Sequence, residues 1–512
     1  MLLRTSLPPA PPTTGLAAKC RSHDRTHVEF DLTVSASPQR GMRAIWEVYI
    51  FAPASFRLEE YYPKDELYED LHSYWQTVPS AGGAEVEAFV TVLCRDLEAG
   101  NAAAQAGMRI LASRARDRIL LQLDPLRNEA AAPAHFERLA DELTNWRSRA
   151  SRVLACNVSD ETLVAYRAWM DEDISLLVED VAASFAHELE TRGDEAPWRE
   201  LRERFTSLAL DEARHRRTQG YDSLGHAHMT ERGLEHFVFR RQFLKRFNGS
   251  VDWLQANVRA GASVLLQIVY ALAAGLAMVI ALLAALGVPT TGDQALRYVM
   301  LGALVYAIKD RVKANLQNVL GRWLARRAPD RFWEITNATG KVLATVDERA
   351  AFLKFAQTPE AVLEVRRRTR THKLEESARP ETVIHHRKVM RVRPLDEDLT
   401  TLRASALREI VRLHIGDWLE NTDDPKQLVV MADASIGELV TAKARRVYNV
   451  NILYRLQEPD EAPQWNRVRV VVARSGIVRV EAIGSSSQRS VESIPNMHVD
   501  PVPSVRLERD LR

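Results

Sequence analysis

From Ala260 to Val288 the chain carries no charged side chain, and its centre, Ser263 to Leu286, is almost wholly apolar. A helix needs about 20 apolar residues to cross a bilayer, so a stretch of this kind reads as a span. It lies mid-chain, too late for a secretory signal. A shorter apolar stretch, Tyr298 to Ile308, sits between Arg297 and Lys309. Extended back to Thr290 it reaches a workable length, with Asp293 and Arg297 spaced to neutralise each other on a helix. The connector from Val288 to Asp293 holds the Pro and Gly of a tight turn. The expectation is a transmembrane hairpin at about 261–286 and 291–309, with one span followed by an amphipathic surface helix as the competing reading.

Flanking charge decides between these two. Arg240, Arg241, Lys245, Arg246 and Arg259 precede the first stretch; Lys309, Arg311, Lys313, Arg322, Arg326, Arg327 and Arg331 follow the second. Basic flanks stay on the cytoplasmic side, so two basic flanks imply two crossings and an inner-membrane location with both ends cytoplasmic. Ala273, Ala277, Ala281 and Ala285 recur every four residues, as do Ala303 and Ala307. Small residues at this spacing suit close helix packing, within the hairpin or between two copies of it. No ionisable residue lies deep in either stretch, which argues against a transporter. A small oligomeric pore would need a polar lining from Gln267 and Tyr306.

With 512 residues, 46% of them apolar, the chain has room for two or three folded domains. A formal net charge of +1 leaves no nucleic-acid footprint. Cys20, Cys94 and Cys156 lack metal spacing and read as reduced thiols. Residues 1–19 are Pro-rich and expected to be disordered, as is the Ser-rich tail 484–512. Residues 20–250 open with two strand-like runs, Val28–Ser35 and Ala44–Phe51, expected to pair as a hairpin. Helical periodicity follows at 64–76, 84–98, 103–122, 133–155, 160–192, 195–217 and 229–247, with Ser159 as a cap for the fifth. Residues 330–483 read as a β-rich domain. Strands are expected at 331–335, 341–346, 382–392, 427–431, 446–456, 468–474 and 477–483. A helix is expected at 399–420, with Leu407, Ile410, Val411, His414 and Trp418 on one face.

Several stretches taken together resemble an uncharacterised family of bacterial two-pass inner-membrane proteins. They are Phe51–Phe56 with Tyr61 and Tyr68, Arg217–Tyr221, Phe239–Phe247, Tyr306–Lys313, Val447–Tyr454 and Ser475–Glu481. The resemblance implies the same two-pass topology and adds no activity.

Candidate chemistry is sparse. Glu212 and His215 have the Glu-x-x-His spacing that places two ligands on one helix face, and His226 and His228 lie nearby. A di-iron site needs a second such motif, and Arg214, Arg216 and Arg217 oppose a bound cation, so these four are only weak metal candidates. His385 and His386 are adjacent on a strand and point to opposite faces. Thr339–Lys341 lacks the first glycine and the helix of a phosphate loop. The basic run Arg366–Lys373 reads as a linker, with lipid contact second. No nucleophile elbow, dinucleotide fingerprint or Cys-x-x-Cys is present.

The reading is an α+β membrane protein with a helical amino-terminal domain, a transmembrane hairpin at 260–310 and a β-rich carboxy-terminal domain. Its role is expected to be that of an interaction or sensory scaffold, not an enzyme, without a cofactor. The bilayer, a second copy through the hairpin, or an unidentified protein are its expected partners. An enzyme or effector with a site between the two domains is the alternative.

Overall fold

The computed structural model describes residues 16–483 except 36–39, 80–82, 124–125, 127–131, 193–194, 224–229, 261–262, 287–294, 326–327, 338–339, 368–380, 395–403, 434–436 and 463. His226, His228, the tail from 484 and most of the basic run 366–373 lie outside the described residues.

The chain opens with β1 (Leu16–Ser22), β2 (His27–Ser35), β3 (Met42–Pro53), short helices α1 (Leu58–Tyr61) and α2 (Lys64–Asp70), and β4 (Leu71–Pro79). Six helices follow: α3 (Gly83–Glu98), α4 (Ala103–Leu123), α5 (Pro133–Leu154), α6 (Glu161–Glu190), α7 (Ala196–Gln219) and α8 (Glu231–Gly249). Then come β5 (Gln255–Ala260), α9 (Ser263–Leu286), α10 (Ala295–Ala325), β6 (Arg331–Thr336), β7 (Val342–Leu353) and α11 (Glu360–Arg367). The chain continues through β8 (Glu381–Val392), β9 (Ala404–His414), β10 (Lys426–Asp433), β11 (Glu438–Arg445), β12 (Tyr448–Gln457), β13 (Asn466–Ala473) and β14 (Gly476–Ala482).

Strands from both ends of the chain interleave. One sheet runs β1-β2-β9-β4, a second runs β14-β13-β12-β3-β8-β7-β6-β5, and β10 and β11 form a ribbon. All the pairings are antiparallel. The two large sheets share one core, in which Phe30 of β2 meets Trp46 of β3 and Tyr454 of β12 edge-on. On the outer face of the larger sheet, Val362 and Leu363 of α11 pack with Phe51, Val383 and Leu453.

This arrangement revises several expectations. β2 and β3 do not pair with each other; they enter different sheets, β2 beside β9 and β3 between β8 and β12. The division at residue 250 into a helical half and a β-rich half gives way to a β-lobe built from both ends. β1 uses residues 16–19, assigned above to a disordered start. The helix expected at 64–76 ends at Asp70, and β4 takes over. The helix expected at 399–420 is the strand β9, because Leu407, Glu409, Val411 and Leu413 alternate into the core.

The six helices from α3 to α8 form a bundle with its own core, centred on α6, which touches α4, α5, α7 and α8. Positions 170–178 of α6 are buried on every side, as a central helix must be. Asp252, in a short 3-10 turn at Ser250–Asp252, ties the bundle to the β-lobe. It accepts from Arg114 at 2.7 and 3.0 Å and from Ser113 at 2.5 Å, and Thr77 of β4 reaches it at 3.4 Å. Leu254 N donates to Trp75 O at 2.9 Å beside it.

α9 and α10 form as helices and pack along one another. Among the described residues, however, no helix is long and apolar enough to cross a membrane. α10 runs without a break through Lys309, Asp310, Arg311 and Lys313. The expected membrane fold class, the two-pass hairpin and the inner-membrane location are corrected on this finding. Ala273 and Ala277 are buried and Ala281 is half-buried, while Ala303 and Ala307 are exposed. The side chain of Ala285 lies outside the described residues.

Candidate functional site

α6 carries three consecutive acidic residues, Asp171, Glu172 and Asp173, all at 1% exposure or less. Successive helical residues point about 100° apart, so each acid faces a different neighbour. Glu172 takes Arg240 of α8 at 2.7 and 3.2 Å. Asp173 takes Arg116 of α4 at 2.6 Å and Asn248 at 3.0 Å. Asp171 faces α5 and α7, where Arg147, His215 at 2.7 Å and Tyr221 at 2.6 Å converge on it. One turn on, Arg216 of α7 is fully buried between Ser175 and Glu179. Buried charge of this kind is tolerated because each of these carboxylates meets an arginine.

Glu212 and His215 therefore do share a helix face, and that face is turned inward. Glu212 is buried, with Arg147 at 3.7 Å, and its Oε2 makes no hydrogen bond among the described residues. Burial pushes its carboxyl up against the pull of Arg147. Burial acts on Asp171 in the same sense, but there the bond from His215 and the charge of Arg147 prevail and hold it low. Two carboxylates pushed apart are the raw material of acid–base chemistry. Here, though, the oxygens of Asp171 are spent on Arg147, His215 and Tyr221, and the site is a closed brace. Arg147 stands where a cation bound by Glu212 and Asp171 would have to sit. His385 and His386 do face opposite ways: His385 pairs with Glu47 at 2.8 Å, His386 with Glu348 at 2.8 Å inside the sandwich.

The feature that the sequence reading passed over is the outer face of α8. Leu244 and Asn248 turn inward and are buried, while Phe247 packs edge-on against Trp169. Leu234, Val238, Phe239 and Phe243 turn away from this buried pair and are exposed, Phe239 at 66%. The rings of Phe239 and Phe243 stack at 6.2 Å. An open concavity here is lined by Leu234, Val238 and Phe239 with Glu231, Glu235 and Gln242. The signal was present: α8 holds more apolar residues than one inward stripe can use.

No family model matches the chain, and no curated protein or solved structure matches it either.

Proposed function

We propose that this chain is an interaction scaffold, in which the braced bundle and the β-lobe support a docking face on α8. The observation that carries this reading is the exposed row Leu234, Val238, Phe239 and Phe243. Clustered apolar side chains on an otherwise polar helix mark interaction sites, and aromatics dominate the energetics of such contacts. Glu231 and Glu235 rim the row, so the fitting partner presents apolar side chains with a cation beside them. That partner is a second protein or a second copy of this chain.

Native mass spectrometry of the full chain tests the reading. The wild type is expected to retain a bound polypeptide that Phe239→Asp loses while its circular dichroism spectrum is unchanged. A wild type with no bound chain, or a variant that keeps the same complex, overturns it.

A further inference from the structure

The β-lobe holds a second cluster, far from α8, at one end of the four-stranded sheet. His27 begins β2 and lies directly opposite His414, the last residue of β9. Leu71 pairs with Leu413, which brings Asp70 to the same end from the other side of β9. Asp417 follows in the 3-10 turn Asp417–Leu419. Antiparallel register thus gathers groups from three adjacent strands that are distant in sequence.

The ligating atoms of Asp70, His414 and Asp417 all lie within 4.8 Å of one another. His414 Nδ1 and Asp70 Oδ1 are 3.5 Å apart, longer than a good charge-assisted hydrogen bond. Two ligands on a tetrahedral ion with bonds near 2.1 Å are separated by about 3.4 Å. One of the three, Asp70, has the hydrogen-bonded outer support typical of a metal ligand. Tyr62 donates its hydroxyl to Asp70. The His27 ring packs 4.9 Å from the His414 ring, and Asp24 grips His27 Nδ1 at 2.9 Å. Gly416 leaves room for the His414 ring, since a Cβ there would fall 2.5 Å from Nε2. Asp417 is exposed and Asp70 and His414 are half-buried, so an ion can enter from solvent.

We infer that Asp70, His414 and Asp417 form a binding site for a divalent first-row transition cation, with one coordination position left to solvent. An imidazole with two carboxylates suits zinc or manganese better than magnesium or calcium, which prefer all-oxygen sites. Three protein ligands and an open position are the pattern of a reactive ion, not of a closed structural one.

Isothermal titration of the metal-free full chain with Zn²⁺, then with Mg²⁺, tests the site. One Zn²⁺ per chain is expected, with Mg²⁺ unable to displace it. His414→Ala and the exposed Asp417→Asn are each expected to weaken Zn²⁺ binding about tenfold or more. Asp417→Asn, which removes no packed group, covers the case in which His414→Ala fails to fold. Cobalt loaded in place of zinc is expected to lose its visible absorption in either variant. Absence of stoichiometric binding, or equal affinity in wild type and Asp417→Asn, overturns the inference and leaves His414 and Asp70 a simple ion pair.

Discussion

Lys388 sits in the middle of the sandwich at 1% exposure, held between Glu409 of the smaller sheet and Glu348 of the larger. Trp333 Nε1 donates to Glu348 at 2.7 Å and Ser73 Oγ to Glu409 at 2.5 Å. Burial alone would raise Glu348; Lys388 and the His386 bond outweigh it and hold the carboxyl low. Lys388→Met leaves two buried acids without their cation, so a loss of about 3–5 kcal/mol is expected in urea unfolding. A loss below about 1 kcal/mol would mean the network holds nothing together. Glu47 gives a pH signature. Burial opposes its ionisation, but bonds from His385 and Arg455 prevail and bring it from 4.5 to about 2. An acid held low in the folded state stabilises the fold above its ordinary value and loses that contribution as pH falls towards 2. Glu47→Gln is expected to flatten the stability profile between these limits, and an unchanged acid slope would contradict the assignment.

Helices were legible because their apolar residues recur at the helical period; α3 to α8 fall where that period places them. The cap of α6 differs by one position: Asp160, not Ser159, accepts from Leu163 N, at 2.8 Å. Asp160→Ala is expected to cost about 1 kcal/mol in thermal or urea unfolding, while Ser159→Ala costs little. β9 was misread because one of its inward positions is Glu409, whose partner Lys388 lies on another strand. A buried charge looks like a solvent-facing residue until its counter-ion is placed. β2 hid its environment in the same way. Its alternation reads as half-buried, yet Glu29 and Asp31 are buried too, under Arg21, Arg412 and Arg408 from flanking strands. The cation cluster was illegible for a related reason, since antiparallel register alone brings residue 70 to residue 414.

At the scale of the whole molecule, the two ends of the chain depend on each other. β3 lies between β12 and β8, and β9 between β2 and β4, so neither end can complete a sheet alone. A fragment of residues 331–483 is expected to be digested rapidly by protease, and to gain protection when co-expressed with residues 1–260. Independent folding of that fragment would contradict the interleaved topology. The bundle rides on this lobe through Asp252, and α8 presents the apolar row. The braces around Asp171 belong to this support: His215→Ala is expected to lower stability without changing what α8 binds. The most direct measurement is photo-crosslinking in living cells, with a photoreactive amino acid at position 239 and, as control, at the exposed position Arg214. The expected result is a discrete adduct from position 239 alone, abolished by Leu234→Asp. No adduct, or the same adducts from both positions, would contradict a docking face on α8.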